Sequence, residues 1–346
     1  MPAVLLNRTG LCPLFQNHSE FVVASTLRPI IMLTDQYSRT FKTLRVSLTN
    51  SCNLSCNYCT DQSEYTARTK QAILSVSDYI KLINNLHKNL NLTTVRLTGG
   101  EPLLYKQVCH LIEGIKALGI PEIKMTTNGV FLKEKAVAIK NAGISSINVS
   151  LDSLDQKTFY KISGRKNLNI ILDGIDHALA IGIPVKLNTV VMKGINTDQV
   201  LPLLAFARER NIPVRFLEVM KMGHLYNRYH DLYYSQEEIL EKIAEQHRFI
   251  PLDRARGATA SYWITDQKQI FGIIANESHP FCLDCNRLRL DSFGNIYGCL
   301  SSDSGISIKE HSDDPYSMQK LLQQALAQKQ SAQFTGSALS MKYIGG

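Results

Sequence analysis

Six of the eight cysteines fall into two tight triplets, and each triplet offers three thiolates without a convincing fourth ligand. The first reads Cys52-Asn-Leu-Ser-Cys56-Asn-Tyr-Cys59. Three thiolates satisfy three irons of a 4Fe–4S cluster and leave one iron open to bind and reduce a ligand. A structural zinc site is the rival, but it favours four protein ligands, and none stands beside this triplet. The second triplet is Cys282-x2-Cys285-x13-Cys299. Zinc competes better there, because His279 could complete a Cys3His set. The run after Cys285, Asn286-Arg287-Leu288-Arg289-Leu290, puts two arginines on one face of a strand. Beside an open-iron cluster they suit an anionic ligand, and in isolation they would read as a solvated edge strand. Cys12 and Cys109 stand alone and read as small buried hydrophobes.

A further motif is Thr98-Gly99-Gly100-Glu101-Pro102. Paired glycines let a backbone approach a ligand closely, and a carboxylate such as Glu101 can accept from an ammonium group. No Gly-x4-Gly-Lys-Ser/Thr loop is present, so a triphosphate would have to be held by side chains. The 38 Lys and Arg exceed the 30 Asp and Glu, giving +8, which suits a polyanionic partner or simply a basic surface. Grouped thiols in a 346-residue chain read as metal ligands in a reducing compartment rather than as disulfides. No apolar run approaches the roughly 20 residues of a membrane span, and residues 1–30 lack the pattern of a secretion signal. A cytoplasmic protein is expected.

Elements that could position these groups begin near residue 42. Strand-like runs at Thr43–Thr49, Thr94–Thr98, Ile123–Asn128, Ile147–Asp152, Val185–Val190 and Val214–Val219 alternate with amphipathic segments. Those segments include Ser77–Leu90, Lys133–Ala142, Ile170–Ile181 and Thr197–Asn211, so the chain reads as parallel βα units. One face of each strand is polar: Arg45, Ser47 and Thr49; Arg96 and Thr98; Lys124, Thr126 and Asn128; Asn148, Ser150 and Asp152; Lys186 and Asn188; then Arg215. An ordinary eight-stranded barrel fills its lumen with Val, Ile and Leu. The pattern therefore predicts an α/β fold: a partial TIM-type βα barrel of about six parallel strands around a polar, anion-holding cavity. The cysteine loop follows the first strand, at the end where barrel active sites are built. After about residue 250 short strands (Ala260–Ile264, Ile270–Ile274, Arg287–Leu290, Asn295–Leu300) precede a helix near Tyr316–Gln328. The expected organisation is a poorly ordered extension over 1–32, a barrel over 33–250, and a small α+β domain over 251–346 around the second triplet.

These motifs resemble the radical S-adenosylmethionine superfamily and, within it, the GTP 3′,8-cyclases of molybdenum cofactor biosynthesis, the protein A family of that pathway. The cysteine loop and Gly99–Pro102 carry the superfamily likeness. The finer likeness rests on Cys-x2-Cys-Asn-Arg-Leu-Arg-Leu, Cys299, the Arg215-Phe-Leu-Glu-Val-Met220 run and the Gly345–Gly346 end. The resemblance implies two 4Fe–4S clusters, one on Cys52, Cys56 and Cys59 and the other on Cys282, Cys285 and Cys299. It implies that Tyr58, Gly100, Glu101, Ser150 and Met220 contact S-adenosylmethionine. GTP would meet Arg45, Arg96, Thr126, Lys186 and Arg215, with Arg287, Leu288 and Arg289 lining the pocket. Catalytic roles would fall to Arg287, Arg289, Gly345 and Gly346. Departures from the pattern are Asn50-Ser51 before the first cysteine, Thr60-Asp61 after the third, and Thr94 where a basic residue is common.

The implied reaction is reductive cleavage of S-adenosylmethionine, hydrogen removal from C3′ of GTP by the 5′-deoxyadenosyl radical, and closure onto C8. The implied partners are a low-potential electron donor of flavodoxin or ferredoxin type and cyclic pyranopterin monophosphate synthase, which takes the product. A homodimer and no membrane partner are also implied. Two rivals stand beside this reading. One is a relative acting on a peptide or another nucleotide. The other is a zinc-stabilised basic RNA-binding protein, although the fourteen tyrosines are not interleaved with a basic stripe.

Overall fold

The computed structural model describes residues 33–60, 73–311 and 314–345. The 1–32 extension, Asp61 and Gly346 lie outside the described residues. In chain order the first part is β1 (Thr43–Ser47), α1 (Val76–Leu90), β2 (Thr94–Thr98), α2 (Val108–Ala117), β3 (Glu122–Thr127), α3 (Leu132–Ala142), β4 (Ser146–Ser150), α4 (Gln156–Ser163), α5 (Leu168–Ala180), β5 (Val185–Val191), α6 (Val200–Glu209) and β6 (Val214–Glu218). There follow α7 (Gln236–Ala244), β7 (Phe249–Leu252), β8 (Ser261–Thr265), β9 (Ile270–Ile274), β10 (Arg287–Leu290), β11 (Asn295–Tyr297), β12 (Ile306–Ser307), α8 (Pro315–Ala327) and α9 (Met341–Ile344).

Local chemistry explains these boundaries. Helix α1 begins where Ser75 and Asp78 form a reciprocal capping box, and ends at Asn91 in the left-handed region. Its buried Tyr79, Leu82, Ile83, Leu86 and Leu90 recur at helical spacing and form the face laid on the sheet. Strand β11 stops at Gly298, where a Cβ would sit 1.7 Å from the Ala325 carbonyl oxygen at the end of α8. Only glycine lets those two backbones meet.

The twelve strands form one sheet in the order β12-β11-β10-β1-β2-β3-β4-β5-β6-β9-β8-β7. Strands β1 to β6 are parallel neighbours, as the alternation of strand and helix predicts. The chain after residue 250 extends both edges of this sheet: β10 runs parallel to β1, and β9 runs parallel to β6. The second cysteine triplet is thus brought directly beside β1 rather than onto a sheet of its own.

Each parallel strand buries one apolar face against the helices. Leu44 and Val46, Val95 and Leu97, Ile123 and Met125, Ile147 and Val149, and Val214 and Phe216 are essentially inaccessible. The opposite face is the polar one. Residues of that face from β1, β2, β3, β4, β5, β6, β9 and β10 line a single cavity of about 610 Å³. A flat sheet cannot point eight strands at one volume, so the sheet curls into an incomplete barrel around it.

Candidate active site

The cavity wall includes Arg45, Arg96, Lys124, Arg215, Arg287, Arg289 and Lys329, against one carboxylate, Glu122. Strand register explains the crowding. Arg289, Arg45, Arg96 and Lys124 are direct cross-strand partners along β10, β1, β2 and β3. Adjacent strands lie about 4.8 Å apart, and like charges placed opposite one another destabilise a sheet. Burial pushes Arg45 well down, and its neighbours Arg289, Arg96, Arg287 and Arg215 push the same way. Burial likewise lowers Arg96 and Arg289 to about 10, with Arg215 acting on the first and Arg287 on the second. The buried Nε atoms of Arg45 and Arg215 have no hydrogen-bond partner among the described residues. A row of cations held at this cost, with donors unused, fits a multiply charged anion.

Several sequence candidates meet here. Arg45, Arg96, Thr126, Arg215, Met220, Arg287 and Arg289 all line the cavity. Arg215 donates to Asn188 Oδ1 at 2.6 Å, which aims its guanidinium along the sheet. Lys186 shares the polar face but stands beside the cavity wall, 6.0 Å from the Tyr262 ring centroid. Its charge still feels Arg215, Lys124 and Arg96. Leu288 departs from expectation. Alternation along β10 turns its side chain to the other face, where it is fully buried in the apolar core opposite Leu44. Only its backbone can face the cavity.

The first triplet follows β1. Its loop is held from three sides: Ser55 N donates to Ser163 O and Asn57 N to Ile162 O at the end of α4, His224 Nε2 meets Asn57 O at 2.7 Å, and Ser340 Oγ donates to Cys59 O. Tyr58 donates to Asp152 Oδ2 at 2.9 Å. Ser150 ends β4, half-buried, close by in sequence. Burial drives the Cys56 thiol well up, and Asp152, Cys59 and Cys52 add to it. Three half-buried thiols that repel one another as thiolates suit a shared cationic group that deprotonates them.

The glycine pair serves this loop. A Cβ on Gly100 would sit 2.2 Å from Ser51 O, and Gly99, at φ +131°, faces Thr49 O at 2.5 Å. Close approach is therefore to the cysteine loop itself, sealed by Gly100 N donating to Thr49 O and Glu101 N to Ser51 O. The Glu101 side chain has both oxygens engaged. They accept from Leu103 N, Thr127 Oγ1 and Asn128 N at 2.7–2.9 Å. Burial still raises its carboxyl to about 7. It ties the turn after β2 to the turn after β3, a role that its motif did not reveal.

The second triplet opens onto the cavity. Burial would raise the Cys285 thiol, but Arg287 and Lys329 hold it down at about 6. Burial, Cys299 and Cys285 raise Cys282 to about 11, which again places the three sulfurs together. His279 contacts Gln236, Ser278 and Glu237 instead of completing a zinc set. Among the described residues no group of three His, Cys, Asp or Glu side chains is arranged for a single metal ion.

Sequence reasoning missed two contributors. Lys329 lies just past α8 in a polar stretch that gave no signal. Glu218 is buried within the Arg215–Met220 run and accepts from Gln236 N, Glu277 N and Ser278 N, organising the loops around Met220 and Asn276. The chain end, which the family likeness had singled out, meets the same wall. Arg289 Nη1 donates to Ile344 O at 3.2 Å, and Gly345 (φ +74°) presses against Thr98 and Ser47 at the ends of β2 and β1.

A curled parallel sheet with a three-cysteine loop after its first strand defines the class: residues 46–207 match the Radical SAM superfamily. Residues 212–335 match Molybdenum Cofactor Synthesis C. Among solved structures the fold is similar to Streptococcus suis SuiB bound to S-adenosylmethionine, with a TM-score of 0.59 and 16% identity over 80% of this chain and 66% of that one. Among curated relatives, the GTP 3′,8-cyclase of Synechocystis is 37% identical over 91% of this chain and 95% of its own length. That of Aquifex aeolicus is 38% identical over 82% and 89%. The chain belongs to the GTP 3′,8-cyclase family. No helix among the described residues is long and apolar enough to cross a membrane.

Proposed function

We propose that this enzyme converts GTP to (8S)-3′,8-cyclo-7,8-dihydroguanosine 5′-triphosphate, the first step of molybdenum cofactor biosynthesis. The observation that carries the reading is the in-register row Arg289, Arg45, Arg96 and Lys124. It provides a polyanion cradle, with the second triplet in the same cavity wall and the first in the loop that follows β1. Two 4Fe–4S clusters and S-adenosylmethionine, when bound, supply the reducing and hydrogen-abstracting chemistry. Cys52, Cys56 and Cys59 would hold one cluster, and Cys282, Cys285 and Cys299 the other. Tyr58, Gly100, Ser150 and Met220 are the assigned neighbours of S-adenosylmethionine, with Glu101 fixing the turn that carries Gly100.

The chain's own work is orientation and charge neutralisation. Arg45, Arg96, Lys186 and Arg215 take the triphosphate, and Thr126 a hydroxyl or phosphate oxygen. Arg287 and Arg289 work at the base end, beside the second triplet. Met222, Tyr297 and Ile344, with Met220, Leu300, Phe334 and Met341 packed on them, form an apolar cluster that keeps water from the mouth. Gly345 lets the tail reach the strand ends without a side chain. A flavodoxin- or ferredoxin-type protein is the assigned electron donor, and cyclic pyranopterin monophosphate synthase the acceptor of product. A homodimer in the cytoplasm, whose reducing conditions suit the free thiols, completes the proposal.

Anoxically reconstituted protein incubated with S-adenosylmethionine, reductant and each nucleoside triphosphate in turn tests the reading. GTP alone should give cyclised product. Product from another nucleotide, or none from GTP, would overturn it.

A further inference from the structure

Lys329 is a buried cation that neither the motifs nor the proposed substrate contacts explain. Its residue is 5% exposed. The side chain leaves the end of α8 and crosses the Phe41 ring, with Nζ 5.0 Å from the centroid. Its ammonium donates to the Arg287 carbonyl oxygen and lies 3.4 Å from Cys285 Sγ. Arg287 Nη2 reaches the same sulfur at 3.4 Å, while Nη1 of that guanidinium donates to Gly257 O at 3.2 Å. Two cationic donors therefore converge on one thiolate of the second triplet. A buried ammonium is costly unless paired, and the anions within its electrostatic reach are the sulfurs of Cys285 and Cys299. The lysine is built into the fold for the sulfurs.

We infer that Lys329 is a positioning residue of the second cluster, donating to Cys285 Sγ and raising the cluster's reduction potential. Reduction adds one negative charge to a group already bearing thiolates. A fixed cation 3.4 Å from one of those sulfurs stabilises the reduced form more than the oxidised one. Arg287 belongs to the substrate pocket and meets the nucleotide as well. Lys329, anchored on a backbone carbonyl and an aromatic face, acts on the sulfur whether or not substrate is present.

The inference rests on reading the second triplet as a cluster site. Iron content and iron–sulfur absorption of the unsubstituted protein test that reading separately, before any variant is made. The experiment itself is a potentiometric titration followed by electron paramagnetic resonance. It is run on protein carrying Cys52→Ala, Cys56→Ala and Cys59→Ala, so that only the second cluster contributes. Adding Lys329→Met should lower the reduced-to-oxidised ratio at a given potential about tenfold, equivalent to about 59 mV for a one-electron couple. Lys329→Arg should restore the original midpoint. An unchanged midpoint in Lys329→Met at full iron content would overturn the inference. Loss of the cluster in Lys329→Met with retention in Lys329→Arg at the original midpoint would support it. Loss in both variants would show that side-chain shape rather than charge matters, and would overturn it.

Discussion

Replacing Gly345 by alanine isolates the tail's contribution more cleanly than truncation, because the cavity wall and both cysteine triplets stay in place. Gly345 has φ +74° and ψ +106°, a combination that L residues rarely adopt. Holding a side-chain-bearing residue there costs about 1–3 kcal/mol. The new Cβ would also sit 2.5 Å from Thr98 Cγ2 and 3.0 Å from Ser47 Oγ, well inside van der Waals contact. Relief requires the tail to lift from the ends of β1 and β2. An energy of 1–3 kcal/mol corresponds to a roughly 5- to 150-fold loss in the docked population. Gly345→Ala should keep its iron and still cleave S-adenosylmethionine. Cyclised product per 5′-deoxyadenosine should fall at least fivefold, by the same conversion. Both products can be quantified by chromatography from one anoxic reaction. A wild-type product ratio in Gly345→Ala would mean that a docked tail is irrelevant to where the radical goes.

Lys186→Ala should weaken GTP binding about tenfold, at the low end for a charged hydrogen bond because the side chain is partly open, and leave guanosine binding unchanged. Calorimetry with both ligands checks it, and equal losses would make Lys186 a structural cation. Gly100→Ala would drive a Cβ to 2.2 Å from the Ser51 carbonyl oxygen. The cysteine loop must then move, so reconstituted protein should carry about four irons in place of about eight. Full iron loading would show that the two turns can separate without cost to the first triplet.

Much of this site is readable from the chain because strand alternation is so regular. Arg45, Arg96, Thr126 and Arg215 could be placed on one face by counting in twos, and the cavity gathers all four. The same rule, applied to Arg287-Leu288-Arg289, puts Leu288 on the opposite face. The family likeness had grouped it with its neighbours, and the core position is what alternation alone demands. Pairing between distant segments was not readable. Nothing local indicates that β10 lies against β1, about 240 residues away, yet this register completes the cation row. Polar residues with internal partners were equally silent. Glu218 and Lys329 look like ordinary charges until the loops and the sulfur they hold are seen, and the motif that marked Glu101 did not show the two turns it joins. The glycine pair was correctly read as a place of close approach. Its neighbour is the Ser51 backbone, because the turn after β2 packs on the loop after β1.

Isotope transfer shows whether this cavity directs a radical to the ribose of GTP. GTP carrying deuterium at C3′ is incubated with the reconstituted enzyme, S-adenosylmethionine and reductant, and the 5′-deoxyadenosine formed is examined by mass spectrometry. Each 5′-deoxyadenosine produced together with cyclised nucleotide should carry one deuterium. 5′-Deoxyadenosine free of deuterium, formed while GTP is consumed, would contradict it.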